Sequence, residues 1–366
     1  MKNHNIIIRE ASEKDILGII QLHHSQSGLL IGKHIWEWQY FKRTGYDTIF
    51  VVAEKDGEII GTQAIIPIKI ISNSGIFLTG KSESTLVHKL FRGHGVFNRM
   101  YEKIFEIANQ KGIEAIWGFT GAEKAFSRVG FNIPTKLSII HIWLDVKKAF
   151  AFYLEKLKKY HGFLSYLTAL PLLILLIFLR IWLSICLHFF SIKYRNDLKK
   201  VNLIMNNRKD FENFLMLLNK RNQENGIVTI YRDLEYMNWR IFNNPSINYN
   251  VLLYSKSQIK GYLIFYIYKE ILFITDYYCS NSDRVFSILL AKTIIYGLKN
   301  KCNLIQLWDS ESSENQKYSR ILKIFSSLKF KHINPMVFKI IRNEMTNDKQ
   351  NVSHWFITEI FSQGIL

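Results

Sequence analysis

Residues 88–97 read HKLFRGHGVF, and Arg92-Gly93-His94-Gly95 crowds two glycines and an arginine into four positions. Glycine lets the backbone turn tightly and approach a ligand closely. Free amides at the start of a helix point toward any anion held there. With a strand ending near His88 and a helix starting near Gly95, this stretch is a recipe for holding pyrophosphate. It is not a P-loop, because no Gly-Lys-Ser/Thr follows.

The neighbouring elements must position that loop. NIIIR (5–9) predicts a strand. Ser12 then caps a helix to about His24, with Asp15 favouring its positive end. TIFVVAE (48–54) and EIIGTQAIIPIKI (58–70) predict two strands joined at Asp56-Gly57. A third long strand is expected over 78–88, and a helix from about Gly95 to Gln110. A strand over 113–119, a short helix over 122–128 and strand material from 131 to 145 complete the series.

A chain of 366 residues has room for two domains, and 48% hydrophobic content supports packed cores with disorder only at the ends. The formal charge of +18 points to an anionic partner: nucleic acid, a membrane surface or a phosphate-bearing small molecule. There is no zinc-finger spacing, arginine-rich arm or RNA-recognition signature, and Lys and Arg are spread along the chain, so nucleic acid is not expected. Cys186, Cys279 and Cys302 form no CxxC pair. Neither a disulfide framework nor a metal site is expected, which fits a reducing compartment. The N-terminus lacks the apolar core of a signal peptide, so the folded domains are expected in the cytoplasm.

The chain also resembles itself. Trp38 to Gly61 aligns with Trp239 to Gly261: Trp38 and Phe41 match Trp239 and Phe242, and Ile59 and Gly61 match Ile259 and Gly261. Later elements recur in the same order: a strand at 271–277, a helix at 283–299, a strand at 303–308, then a helix and Phe330. Two copies of one α+β unit are expected. Between them, residues 163–190 form an apolar stretch long enough to cross a bilayer. Pro171 is expected to divide it. Arg180 inside it would be costly in lipid, and Arg180, Ser184 and His188 form a polar stripe. Lys147, Lys148, Lys156, Lys158 and Lys159 flank one side, with Lys193, Arg195, Lys199 and Lys200 on the other. A helical hairpin or interfacial helix on the cytoplasmic membrane face is expected, with a buried helix pair and a true span as alternatives.

Several stretches together resemble the GCN5-related N-acetyltransferase (GNAT) superfamily. IIIREASEKDILGIIQL resembles its first strand and helix, and VVAEKDGEIIGTQAI its central hairpin. TLVHKLFRGHGVF resembles its acetyl-CoA motif, and GAEKAFSRVGF its closing helix and Gly-Phe ending. The resemblance covers about residues 5–145. It implies an α+β fold of tandem mixed sheets flanked by helices: residues 1–145 as the acetyltransferase domain, 146–200 as a hydrophobic helical insert, 201–345 as a degenerate second copy and 346–366 as a C-terminal tail.

The same resemblance implies acetyl-CoA, or another acyl-CoA, as donor. Arg92, Gly93, His94, Gly95, Val96 and Phe97 would offer amides to its pyrophosphate, and Leu86 and Val87 would pair with its pantetheine arm. Phe97 departs from the motif, where Gly or Ala is usual, and Phe126 stands where a proton-donating tyrosine is frequent. The reaction needs positioning, an oxyanion partner and a base. Glu83 is the best-placed carboxylate, with His88 and His94 as weaker candidates; Glu83 could equally be a solvated strand residue.

The second copy has no glycine loop in YYCSNSDRVF, so it is not expected to bind the cofactor. It would complete an acceptor cleft with WEWQYF (36–41) and YMNWRIF (236–242), or these would pack structurally. The leading expectation is an acyltransferase acting on a small-molecule or lipid-linked amine at the inner membrane surface, such as an amino sugar of a cell-surface polysaccharide pathway. The alternatives are a peptidoglycan-type aminoacyl transferase using aminoacyl-tRNA, and a non-catalytic membrane-attached binding module.

Overall fold

The computed structural model describes the chain apart from residues 1–5, 43–44, 46, 136, 162–167, 204–207, 280–282, 311–312, 332–334, 343–350, 352–354 and 363–366. The first half contributes β1 (Ile7–Glu10), β2 (Ile49–Lys55), β3 (Glu58–Ser72), β4 (Gly75–Val87), β5 (Ala115–Phe119), β6 (Asn132–Thr135) and β7 (Leu137–Trp143). The second contributes β8 (Val201–Leu203), β9 (Thr229–Ile230), β10 (Asn250–Ser255), β11 (Ile259–Tyr268), β12 (Ile271–Cys279), β13 (Leu304–Ser310), β14 (Leu328–Lys331) and β15 (Met336–Ile340). Between them run the helices α1 (Ile16–Ser27), α2 (Lys33–Trp36), α3 (Val96–Gln110), α4 (Glu123–Arg128), α5 (Val146–His161), α6 (Ala169–Lys193), α7 (Arg195–Leu198), α8 (Arg208–Glu224), α9 (Leu234–Met237), α10 (Asp283–Lys299) and α11 (Ser313–Ile324).

Two mixed sheets form, and their strand orders match. The first runs β1-β2-β3-β4-β5-β15-β6, with β9 added beside β3. The second runs, from its other edge, β8-β10-β11-β12-β13-β7-β14. The sixth strand of each sheet comes from the other half of the chain. Ile140 and Ile142 of β7 join the core under α10, while Val337 of β15 joins the core under α3. The boundary expected at residue 145 therefore does not separate the sheets, because β7 pairs with β13 from Leu137–Ser310 to Trp143–Leu304. Local composition marks 131–145 as strand but carries no information about which sheet it joins.

Three clusters hold this arrangement. One lies between β2, β3, β5 and α3, whose Val96, Met100, Tyr101, Ile104 and Ala108 recur at helical spacing on the buried face. The second packs α10 against β11–β13 and β7. The third is shared by both halves and contains Trp36, Val52 and Trp117 together with Phe211, Tyr262 and Tyr278.

The last segment is not a loose tail. Trp355, Ile357, Ile360 and Phe361 are buried in the shared cluster, and Phe361 packs on Trp117 with ring centroids 5.2 Å apart. Asn315 Nδ2 donates to the Ile357 carbonyl at 2.8 Å, and Thr358 Oγ1 donates to Asp276 Oδ1 at 2.7 Å. Asp276 is itself buried and accepts a two-pronged bond from Arg232, at 2.7 and 2.9 Å, and one from the Tyr262 hydroxyl at 2.6 Å.

Glu359 lies in the same segment. Its Oε1 accepts from Tyr266 at 3.1 Å, and its Oε2 is buried without a hydrogen-bond partner. Burial lifts this carboxyl to about 7, against the opposing pull of the Tyr266 hydroxyl and the Arg240 charge. The folded state thus holds a proton that the unfolded state releases near the ordinary value of 4.5. Stability should fall as pH rises from about 4.5 to 7, by roughly 3 kcal/mol in all, and then level off. Glu359→Gln should flatten that slope in urea melts taken across the window; an unchanged slope would assign the dependence elsewhere.

Two expectations for the apolar insert change. Pro171 does not divide the helix: α6 begins at Ala169, so Pro171 falls in its first turn, where a missing N–H breaks no helical bond. Residues 163–167 lie outside the described residues. Arg180 is not stranded either, since its Nε donates to the Leu144 carbonyl at 3.0 Å and its Nη1 to Ser184. Among the described residues, α6 is the one helix long and apolar enough to cross a membrane, and most of it is not buried.

Candidate active site

The site starts where β4 leaves β5. The two strands pair in parallel at Thr79–Lys81 against Ala115–Trp117. Beyond that, β4 bulges against β3, so that Ser84 and Thr85 both face Gln63, and Ser84 adopts φ 49°. Polar side chains pin the bulge. The Tyr40 hydroxyl lies 2.6 Å from Ser84 Oγ, Thr62 Oγ1 donates to the Ser84 carbonyl at 2.8 Å, and the buried Gln63 amide donates to Ser82 Oγ at 3.0 Å. His23, held neutral with a pKa of about 4 by burial, contacts Thr62 Oγ1 at 3.0 Å. The bulge turns Glu83–Val87 outward, and all five residues are partly exposed.

Leu86 and Val87 form the end of β4 and pair with Thr62 and Gly61. The Val87 carbonyl accepts from Arg92 Nε at 3.1 Å, which ties the loop to the strand. His88 Nδ1 accepts from the Leu90 amide at 3.3 Å, so the ring caps the short turn Lys89–Phe91. Arg92, Gly93, His94 and Gly95 are exposed, and Val96 is buried. Gly93 has φ 85° and Gly95 φ 74°, the left-handed region that disfavours side chains. A Cβ built on either would meet nothing within 4 Å. Gly95 is the N-cap of α3, so the amides of the following turn have no partner within the helix. That geometry suits a pyrophosphate.

Phe97 and Phe126 close one wall. Phe97 packs on Tyr101 and Phe126 at 4.8 and 5.5 Å between ring centroids, and Phe126 is buried against Phe131. No hydroxyl stands at position 126.

Glu83 has a partner that sequence reasoning missed. Its carboxylate is bonded by the Lys81 ammonium, and both side chains are largely buried. Burial, with the nearby Arg240 charge adding, holds Lys81 well below the usual lysine range. Strand alternation puts residues two apart on one face, so a Lys81–Glu83 pair was legible. Tyr101 was also missed: its buried hydroxyl lies 2.8 Å from Ser82 Oγ, and burial raises its pKa. Its position four residues after Phe97 on one helix face was the signal.

The two aromatic stretches meet. WEWQYF and YMNWRIF both end in a π-helical turn, Glu37–Phe41 and Asn238–Phe242. Trp38 and Trp239 stack at 5.6 Å, and Trp239 Nε1 donates to the Trp38 carbonyl at 3.3 Å. The second sheet also splays, pairing β12 with β13 only from Ile271–Leu304 to Ile274–Leu307. That opening is filled: Tyr277 packs on Tyr318 and Phe286 at 5.0 Å each and on Phe356 at 5.5 Å. The loop 280–282 lies outside the described residues. A separate cavity of about 550 Å³ lies over β7 and β13, lined by His141, Trp143, Lys148, Phe152 and Gln306 among others, and includes none of the loop.

Residues 8–133 match the family model of the acetyltransferase (GNAT) domain. The chain carries a GNAT acetyltransferase domain, and it is an acyltransferase. Domains of this family use acyl-CoA, usually acetyl-CoA, and bind a small-molecule amine acceptor. Solved structures share the fold across nearly the whole chain. A conserved protein of unknown function from Enterococcus faecalis V583 superposes with TM-score 0.63 at 9% identity, over 92% of this chain and 72% of that one. GCN5-related N-acetyltransferases from Kribbella flavida and Anabaena variabilis ATCC 29413 give TM-scores of 0.61 and 0.60, each at 11% identity and 92% coverage of this chain, and 72% and 73% of theirs. At those identities the likeness concerns the fold alone. No curated protein matches the chain.

Proposed function

We propose that the acetyltransferase domain binds one acyl-CoA, acetyl-CoA in the first instance, along β4 and the Arg92–Gly95 loop. The acyl group passes to an amine acceptor. The observation that carries this is Gly95, a left-handed N-cap at the start of α3 with open space around it, following the bulged end of β4. When bound, acyl-CoA supplies an acyl group activated as a thioester. The amides of Gly93–Phe97 hold the pyrophosphate, Arg92 adds a cation, and Leu86 and Val87 lie along the pantetheine arm.

Glu83, held at the mouth by Lys81, takes the proton that the amine loses as its nitrogen bonds the acyl carbon. His88 is a weaker candidate, because its ring already caps a turn. The carbon–sulfur bond then breaks, and the departing thiolate draws its proton from solvent because Phe126 has none to give.

We read the two sheets as two copies of one unit, of which the second no longer takes the cofactor because aromatic side chains fill its opening. It completes the acceptor side at the Trp38–Trp239 stack. An amino sugar of a surface-polysaccharide pathway, on a nucleotide or lipid carrier at the cytoplasmic membrane face, is the acceptor this reading favours. The net charge of +18 suits its phosphates.

The test is acetyl-CoA with a panel of cell-envelope amines, followed by thiol release and by mass gain of one acetyl group. Glu83→Gln should lower kcat by roughly 100-fold or more without changing acetyl-CoA affinity. Full turnover in that variant would remove Glu83 as the base. Binding without turnover on any amine would leave a non-catalytic binding module. Transfer from aminoacyl-tRNA alone would favour the aminoacyl transferase.

A further inference from the structure

We propose that α6 lies flat in the surface of an anionic bilayer, with its outer face sunk among the lipids, and does not cross the membrane. This deepens the membrane part of the proposed function. It stands apart from the chemistry, because α6 contributes nothing to the β4–α3 site.

The outer face of α6 is the apolar surface that needs a partner. Among the described residues, ten of the exposed large hydrophobic side chains belong to this one helix. Leu170, Ile174, Phe178, Ile181, Ile185, Phe189 and Ile192 recur every three or four positions, and all but Ile185 are more than half exposed. Between residues 170 and 192 the exposed polar residues are Ser184 and His188. Single exposed apolar residues are ordinary, but a continuous strip along a helix about 37 Å long marks an interaction surface.

The opposite face argues against a span. Leu176, Leu183, Cys186 and Leu187 are buried against the body of the protein. Three hydrogen bonds fasten the middle of the helix: Arg180 Nε to the Leu144 carbonyl at 3.0 Å, Trp182 Nε1 to the Ile324 carbonyl at 3.0 Å, and Ser326 Oγ to the Leu179 carbonyl at 2.9 Å. A helix crossing the bilayer would leave all three behind and carry Arg180 into hydrocarbon. A helix lying along the interface keeps them and still covers its outer face.

Charge selects the occupant. Residues 146–200 hold ten Lys and Arg against Glu155 and Asp197, a surplus of eight. Exposed Lys156, Lys158 and Lys159 sit near the end of α5, and exposed Lys193 ends α6, with Arg195 and Lys199 following it. Cations at both ends of an apolar strip match a surface of anionic headgroups over acyl chains. They fit the apolar interface of a second protein less well.

The experiment uses the full chain with intact vesicles of phosphatidylcholine, alone or with phosphatidylglycerol. The protein should sediment with the mixed vesicles at least about tenfold better than with the neutral ones. The double variant Phe178→Glu/Ile181→Glu changes two exposed positions. It should lose at least about tenfold in vesicle binding while keeping its melting temperature and acetyl-CoA affinity. In a Thr168→Cys chain, an impermeant maleimide added outside the vesicles should label the new thiol fully. Protection of that thiol until the vesicles are lysed would show a crossing helix and overturn the proposal. So would equal binding to neutral vesicles, or no vesicle binding by a protein that pairs with itself through α6. Loss of acetyl-CoA binding with vesicle binding intact would count against the site and leave this proposal standing.

Discussion

Gly95→Trp should lose acetyl-CoA binding by at least about 100-fold and still fold. Two effects act together. The Gly95 backbone sits at φ 74°, so any side chain costs on the order of 1–2 kcal/mol of strain there. That cost lowers stability a little and leaves the cores untouched. The larger effect is steric. A Cβ at this position meets nothing within 4 Å, so a bulky indole has room beside the amides at the start of α3 and should compete there with a bound anion. Those amides are the donors a pyrophosphate needs. Gly95→Ala separates the two effects, since it adds the strain with little bulk. It should share the loss of melting temperature and keep most of the affinity. Calorimetry on both variants, with thermal melts as control, is the measurement. Unchanged affinity in Gly95→Trp would place the donor elsewhere.

Arg232→Met should destabilise the fold by about 3–5 kcal/mol, the range for breaking a buried ion pair from one side. Arg232 and Asp276 are both fully buried, and the methionine leaves the carboxylate with only the Tyr262 and Thr358 hydroxyls. The damage spreads to the C-terminal segment, because Arg232 Nη1 also donates to Thr229 Oγ1 at 3.0 Å, and Thr229 Oγ1 donates to the Phe356 carbonyl at 2.9 Å. Adding Asp276→Asn to Arg232→Met removes the orphaned charge and should restore a good part of the loss. Urea denaturation of the two variants decides it. If the single variant costs no more than a surface substitution, the network does not hold the segment in place.

Local signals carried the first unit well. The glycine loop, the Gly-Phe ending at Gly130-Phe131 and the apolar runs of β2 and β3 each involve only a few neighbouring residues, and the expected strands and helices form around them. Trp38 and Trp239, which align in the sequence, occupy the same kind of helical turn and stack on each other. What escaped depends on distant partners. The exchange of β7 and β15 between sheets leaves no trace in their own residues, because a short, mostly apolar strand suits either sheet. Thr358 and Glu359 look like surface residues until Asp276 and Tyr266 are brought to them. Phe126 was readable as an absent hydroxyl, whereas the Lys81 partner of Glu83 was readable and went unnoticed.

The most direct measurement is the number of acetyl-CoA molecules bound per chain. Titration calorimetry on the intact protein should give one saturable site, lost in Gly95→Trp and untouched by Phe178→Glu/Ile181→Glu. No binding, or two sites of similar affinity, would contradict a single donor cradle on α3.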